Sequence, residues 1–161
     1  MSMFGGIDTS ASGLTAERLR MDVISNNLAN ANTTRTLEGG AYHRRYVVFQ
    51  PREYDREKGF GFFMANALHK NRKNRDRGNG VRAVRIEEDR RQGPLVYDPG
   101  HPDANAEGYV ERPNVNAVAE MVDLITASRA YEANVTAINA AKAMTTQALD
   151  IGKSCRRLIW N

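Results

Sequence analysis

Apolar residues recur every seventh position near the start of the chain, at Ile7, Leu14, Met21 and Leu28, with Ile24 and Ala31 on the neighbouring seam position. This spacing predicts a helix that needs a partner helix. Asp8, Thr9 or Ser10 can supply the N-cap oxygen, and Glu17, Arg18, Arg20 and Asp22 form a polar face. The helix should fade through Asn30-Ala31-Asn32-Thr33-Thr34, where side-chain bonds to the backbone compete with helical ones.

A second, longer pattern fills the last third. Met121, Leu124, Ser128, Tyr131, Val135, Ile138, Lys142, Thr145 and Leu149 follow alternating steps of four and three, and Val118, Val122 and Ile125 widen the first half. The expected helix runs from Val115 to Ile151, about 55 Å at 1.5 Å per residue, opened by Pro113-Asn114 and stopped at Gly152-Lys153. Polar seam residues Ser128, Lys142 and Thr145 are read as register setters, with Lys142 snorkelling to solvent as the alternative. Between the helices, Tyr46–Phe49, Val81–Ile86 and Leu95–Tyr97 are short β-prone runs bounded by Gly and Pro. The expected fold is mainly α and elongated, with N- and C-terminal helices paired as an antiparallel coiled-coil-like unit and a small β-hairpin middle. The divisions are 1–36 for the first helix and Asn-rich motif, 37–113 for the middle, 114–153 for the long helix and 154–161 for a tail.

Composition narrows the function classes. Aromatic residues make up 7% of the chain and hydrophobic ones 41%, which favours thin helix seams over a thick core. The net charge of +4 is not spread along the helices. It concentrates at the extreme C-terminus and in the middle, above all over residues 70–91, where Lys70, Arg72, Lys73, Arg75 and Arg77 sit in a loop expected at about 61–79. That stretch could contact an acidic protein surface, or, in an alternative reading, nucleic acid. It lacks aromatic interleaving and a recognition-helix pattern, so nucleic acid is not the expected partner. Cys155 is the sole cysteine, which excludes an internal disulfide and a Cys cluster for zinc. No apolar run reaches the ~18 residues of a membrane span, and the N-terminus lacks the basic and apolar regions of a cleaved signal. Asp98, His101 and Asp103 lie close in sequence, but without a second His or a nucleophile-and-base pairing they read as turn formers. No enzymatic activity, metal, cofactor or small-molecule substrate is expected.

Three motifs carry a family resemblance. The run Ile24-Ser25-Asn26-Asn27-Leu28-Ala29-Asn30-Ala31-Asn32-Thr33-Thr34 resembles the signature of the bacterial flagellar axial proteins. Leu95-Val96-Tyr97-Asp98-Pro99-Gly100-His101-Pro102-Asp103-Ala104 with Gly108-Tyr109-Val110 is similar to a second block of that family, and Pro113-Asn114-Val115-Asn116 through Ala127-Ser128-Arg129-Ala130-Tyr131-Glu132-Ala133-Asn134 to a third. The resemblance covers roughly residues 3–58 and 80–153; the stretch at 61–79 and the tail depart from it.

The resemblance implies a structural subunit of the basal-body rod, the shaft joining the motor's membrane ring to the hook. It implies other rod proteins and further copies of the chain as partners, export without a cleaved signal through the flagellar type III apparatus, and a periplasmic position where the cell has an outer membrane. Within it, Asn26, Asn27, Leu28, Asn30, Asn32 and Thr33 form the axial-family motif, the four Asn amides locking the helix end to neighbouring backbone.

Overall fold

The computed structural model describes residues 3–37, 39–52 and 79–158. The basic residues Lys70, Arg72, Lys73, Arg75 and Arg77 and the end of the tail lie outside them. Helix α1 spans Met3–Ala29, strands β1 and β2 span Arg45–Pro51 and Val81–Glu88, strands β3 and β4 span Leu95–Tyr97 and Tyr109–Glu111, and helix α2 spans Ala117–Leu158. The expected architecture of two long helices around a small β middle is the one observed.

The helices run antiparallel. Asn27 of α1 meets Glu120 of α2, Arg20 meets Asp123, and Gly13 lies against Asn134, so one index rises as the other falls. With 27 residues α1 is about 40 Å long, and with 42 residues α2 is about 63 Å. The register brings α2 level with the start of α1 near Met144, so the later turns of α2 extend beyond α1.

Element ends differ from expectation in instructive ways. Helix α1 begins at Met3, upstream of the expected caps, and the hydroxyls of Thr9 and Thr15 bond back to the carbonyls of Gly5 and Ala11 inside the helix. It ends at Ala29 as expected, where Asn30 closes the last turn by donating from its backbone to the carbonyl of Asn26. Helix α2 starts at Ala117 under the cap of Asn116, whose Oδ1 accepts from the N–H groups of Val118 and Ala119 at 3.0 and 3.3 Å. It continues through Gly152 to Leu158. A single glycine costs a helix only about 1 kcal/mol, which one position cannot turn into a stop.

Strands β1 and β2 form an antiparallel pair, Arg45 opposite Glu88 and Pro51 opposite Val81, with a bulge between Val48 and Phe49. The pair lies along α1 on the side away from α2. Gly80 permits the close approach: its φ is +91°, and a Cβ there would collide with the hydroxyl of Ser12. The Ser12 Oγ accepts from the Val81 N–H at 3.0 Å, pinning the strand to the helix. Strands β3 and β4 form a second hairpin, Tyr97 opposite Tyr109, with their rings edge-to-face at 5.3 Å. Strand β4 was legible only as a motif.

Among the described residues, the buried apolar side chains include Ala16, Val23, Ile24, Ala41, Tyr42, Val110 and Ala127. Most are small, so the helices approach closely but return little burial energy, and polar contacts carry much of the specificity.

Candidate functional site

The α2 seam extends to positions one residue earlier than the apolar spacing predicts, alongside most of the positions expected. Glu120 and Ala127 are buried, and Asp123, Leu124, Ser128, Tyr131, Asn134, Val135, Ile138, Ala141 and Thr145 are half-buried on the side of α1. Met121 and Leu149, expected on the seam, are 45% and 63% exposed. Val118, Val122 and Ile125 are exposed as well, so with Met121 they form a separate outward stripe at i, i+3/i+4 and i+7. Small and polar residues join the seam where the backbones meet, while Val118, Met121, Val122 and Ile125 stay outside. On α1, Ile24 is buried and Ile7, Leu14, Met21 and Leu28 are half-buried. Ala16 and Val23, outside the seven-residue repeat, are more deeply placed, because α1 faces both α2 and the β1–β2 pair.

The register is set by a polar cluster near the end of α1. Asn27 is 0% exposed and uses all four hydrogen-bonding positions of its amide. Its Nδ2 donates to the Arg45 carbonyl at 2.7 Å and to Glu120 Oε2 at 3.0 Å; its Oδ1 accepts from the Arg45 N–H at 2.9 Å and from the Tyr42 hydroxyl at 3.0 Å. One side chain thus ties α1 to α2 and to the start of β1.

Glu120 is 1% exposed and receives Arg44 Nε on Oε1 at 2.5 Å. It sits in the first turn of α2, where free N–H groups favour a negative charge. Arg44 also reaches Asp123 at 3.4 Å, and Arg20 of α1 approaches the other oxygen of Asp123 at 3.7 Å. Burial is the main reason the Tyr42 hydroxyl titrates above its ordinary value, partly offset by the nearby Arg45.

Asn114 extends the cluster. Its Oδ1 accepts from the Arg44 N–H at 2.7 Å, and its Nδ2 donates to the carbonyls of Asp89 and Arg91, both at 2.9 Å. The Asn-x-Asn of the third motif therefore has two jobs: Asn114 joins the middle segment to the approach of α2, and Asn116 caps the helix.

The Asn-rich motif divides. Asn27 is the buried hub, while Asn30 works locally, donating to the backbone carbonyl and side-chain oxygen of Asn26 at 2.9 and 2.8 Å and accepting from Thr33 at 3.2 Å. The Thr33 carbonyl accepts from the Tyr42 N–H at 3.1 Å. Asn26 and Asn32 are exposed. Of the polar residues read as register setters, Ser128 is half-buried on the seam, Thr145 bonds its own helix at Ala141, and Lys142 is exposed. Tyr42 and Arg44 were not singled out by sequence, and Asn114 and Glu120 fell within the third motif without their roles, because their partners lie 15 to 93 residues away.

Asp98 and His101 perform turn chemistry, and Asp103 ties the turn to the segment after α1. Asp98 accepts from the Gly100 N–H, His101 Nδ1 from the Asp103 N–H at 3.2 Å, and Asp103 from Thr34 at 2.8 Å. Among the described residues no group of His, Cys, Asp and Glu could hold a metal ion, and no helix is long and apolar enough to cross a membrane. Of the described basic residues between 79 and 91, Arg85 pairs with Glu87 and Arg91 with Asp89 at 2.5 Å.

Paired terminal helices, an amide-rich joint and an outward apolar stripe define a building element whose surfaces serve contact. Residues 7–35 match the family described as "Flagella basal body rod protein", and residues 106–151 match "Flagellar basal body rod FlgEFG protein C-terminal". The class is the flagellar basal-body rod proteins. Relatives along nearly the whole chain narrow it further. The flagellar basal-body rod protein FlgC of Borreliella burgdorferi is 48% identical over 158 residues, covering 94% of this chain and 98% of its own. That of Bacillus subtilis is 48% identical over 158 residues, covering 95% and 100%, and that of Escherichia coli O6:H1 is 35% identical over 153, covering 95% and 100%. The chain belongs to the FlgC family of flagellar basal-body rod proteins and is a structural rod subunit.

Proposed function

We propose that this subunit builds the rod through its helix pair, with α1 and α2 packed as the inner element and the outward stripe of α2 covered by neighbouring axial subunits. The observation that carries this reading is the exposure of Val118, Met121, Val122 and Ile125 on one face of α2, together with Met144, Leu149 and Ile151 toward its other end. An apolar stripe of that length on a charged protein is stable in solution only at a cost and is matched by a partner's surface. The neighbours are other rod proteins and further copies of this chain. Torque passes through them by side-chain packing and the Asn27–Glu120–Arg44 joint, without a catalytic step.

The divisions 1–36, 37–113, 114–153 and 154–161 serve this role as helix with motif, middle segment, pairing helix and tail. Residues Ile7, Leu14, Met21, Ile24, Leu28, Leu124, Ser128, Tyr131, Val135 and Ile138 hold the pair, while Met121 and Leu149 serve contact between subunits. The Lys70–Arg77 stretch meets an acidic surface of a neighbouring rod or ring component. The subunit reaches the periplasmic rod through the flagellar type III apparatus without a cleaved signal.

Deletion of the gene tests the reading. Electron microscopy should show membrane rings lacking rod and hook; intact, rotating filaments would overturn it.

A further inference from the structure

Residues 41–45 cross beside the last turn of α1 and the first turn of α2, and the backbones of Tyr42, Arg44 and Arg45 are hydrogen-bonded there. The Tyr42 N–H donates to the Thr33 carbonyl, the Arg44 N–H to Asn114 Oδ1, and the Arg45 N–H to Asn27 Oδ1, while the Arg44 carbonyl accepts from the Asp89 N–H at 2.7 Å. Ala41 and Tyr42 of this segment are buried. The crossing also settles a charge: Glu120 lies on the face of α2 that meets α1, and the cation bonded to it is Arg44.

The apolar support at this end is thin, with Ile24 and Ala127 the buried residues nearest the cluster along the seam. A carboxylate buried there without its counter-charge would cost more than so small a seam returns.

We propose that residues 41–45 are a strap whose closure licenses the docking of the first three turns of α2. Closure couples the middle segment to the helix pair, since Arg44 delivers the charge while Asn114 and Asp89 hold its backbone. The same turns of α2 carry Val118, Met121, Val122 and Ile125 outward, so strap closure also fixes that stripe in position. This last consequence rests on the assembly reading given above; the strap itself does not.

Amide hydrogen exchange on the full chain, read by mass spectrometry, tests the strap. Arg44→Ala should speed exchange over residues 117–127 by about tenfold or more, leaving 134–145 unchanged. Asn114→Ala, which frees the strap while leaving both charges, should speed the same residues. The double variant Arg44→Met/Glu120→Gln needs no counter-charge, keeps an amide oxygen to accept from Asn27 Nδ2, and should regain most of the protection of the unaltered chain over 117–127. Faster exchange confined to 41–45 in Arg44→Ala, or a double variant as labile as the single, overturns the proposal. If Arg44→Ala fails to fold, the double variant decides: folded supports the strap, unfolded refutes it. Val122→Asp cells that still swim would sink the assembly reading and leave these exchange results standing.

Discussion

Replacing Asn27 with Ala removes the hub that joins α1, the start of β1 and α2. Four hydrogen bonds vanish, two to the Arg45 backbone, one to Glu120 and one from Tyr42, and the groups left behind are largely shielded from water. Each buried polar group left unsatisfied costs about 1–3 kcal/mol. The losses overlap, because one entering water can serve several of these groups, so the whole change is set at about 3–4 kcal/mol. For a chain of this length that lowers the melting temperature by roughly 10 °C. Urea and thermal unfolding followed by circular dichroism measure it directly.

Asn27→Asp sharpens the test. It keeps the shape and the acceptors but places a second carboxylate against Glu120 Oε2, now bonded to Nδ2 at 3.0 Å. Two carboxylates sharing a site raise one of their pKa values, so this variant should be at least as unstable as Asn27→Ala at pH 7 and should recover part of the loss as the pH falls. A loss below about 1 kcal/mol for Asn27→Ala would refute the view that this amide organises the joint.

Further outcomes follow from other sites. Gly80→Ala should destabilise by more than about 1 kcal/mol, because φ is +91° and the added Cβ meets Ser12, whereas Gly5→Ala, with open space in α1, should stabilise by roughly 0.5–1 kcal/mol; paired urea titrations compare them. Val122→Asp and Ile138→Asp should both abolish swimming in a complementation assay. Circular dichroism separates them, since only Ile138 lies on the seam and only its change should weaken the isolated fold. Asp89 titrates at about 2, chiefly because the Arg91 side chain bonds it, then through the Arg91 backbone N–H. Its folded-state pKa is depressed, so its contribution is full above the ordinary value of 3.8 and is lost as the pH falls toward about 2; the gap between the chain and Asp89→Asn in unfolding midpoint should close over that window.

The sequence by itself determined the two helices, three of the four strands and the family. Local periodicity, Asn and Pro punctuation and ordered motifs are properties of neighbours along the chain, and they survive without tertiary information. The end of α1 at Ala29 was legible for that reason, since an Asn-rich run states its own preference. Where the edge of the α2 face that meets α1 lies was decided only by the tertiary structure. Spacing counts aliphatic side chains and so selected Met121 and Leu149, but a close antiparallel pair joined by Asn27 and Glu120 turns Glu120 and Ala127 inward instead. The strap residues Tyr42 and Arg44 were invisible for the same physical reason: a buried charge is tolerated only beside its partner, and Arg44 and Glu120, 76 residues apart, become partners only when the chain closes.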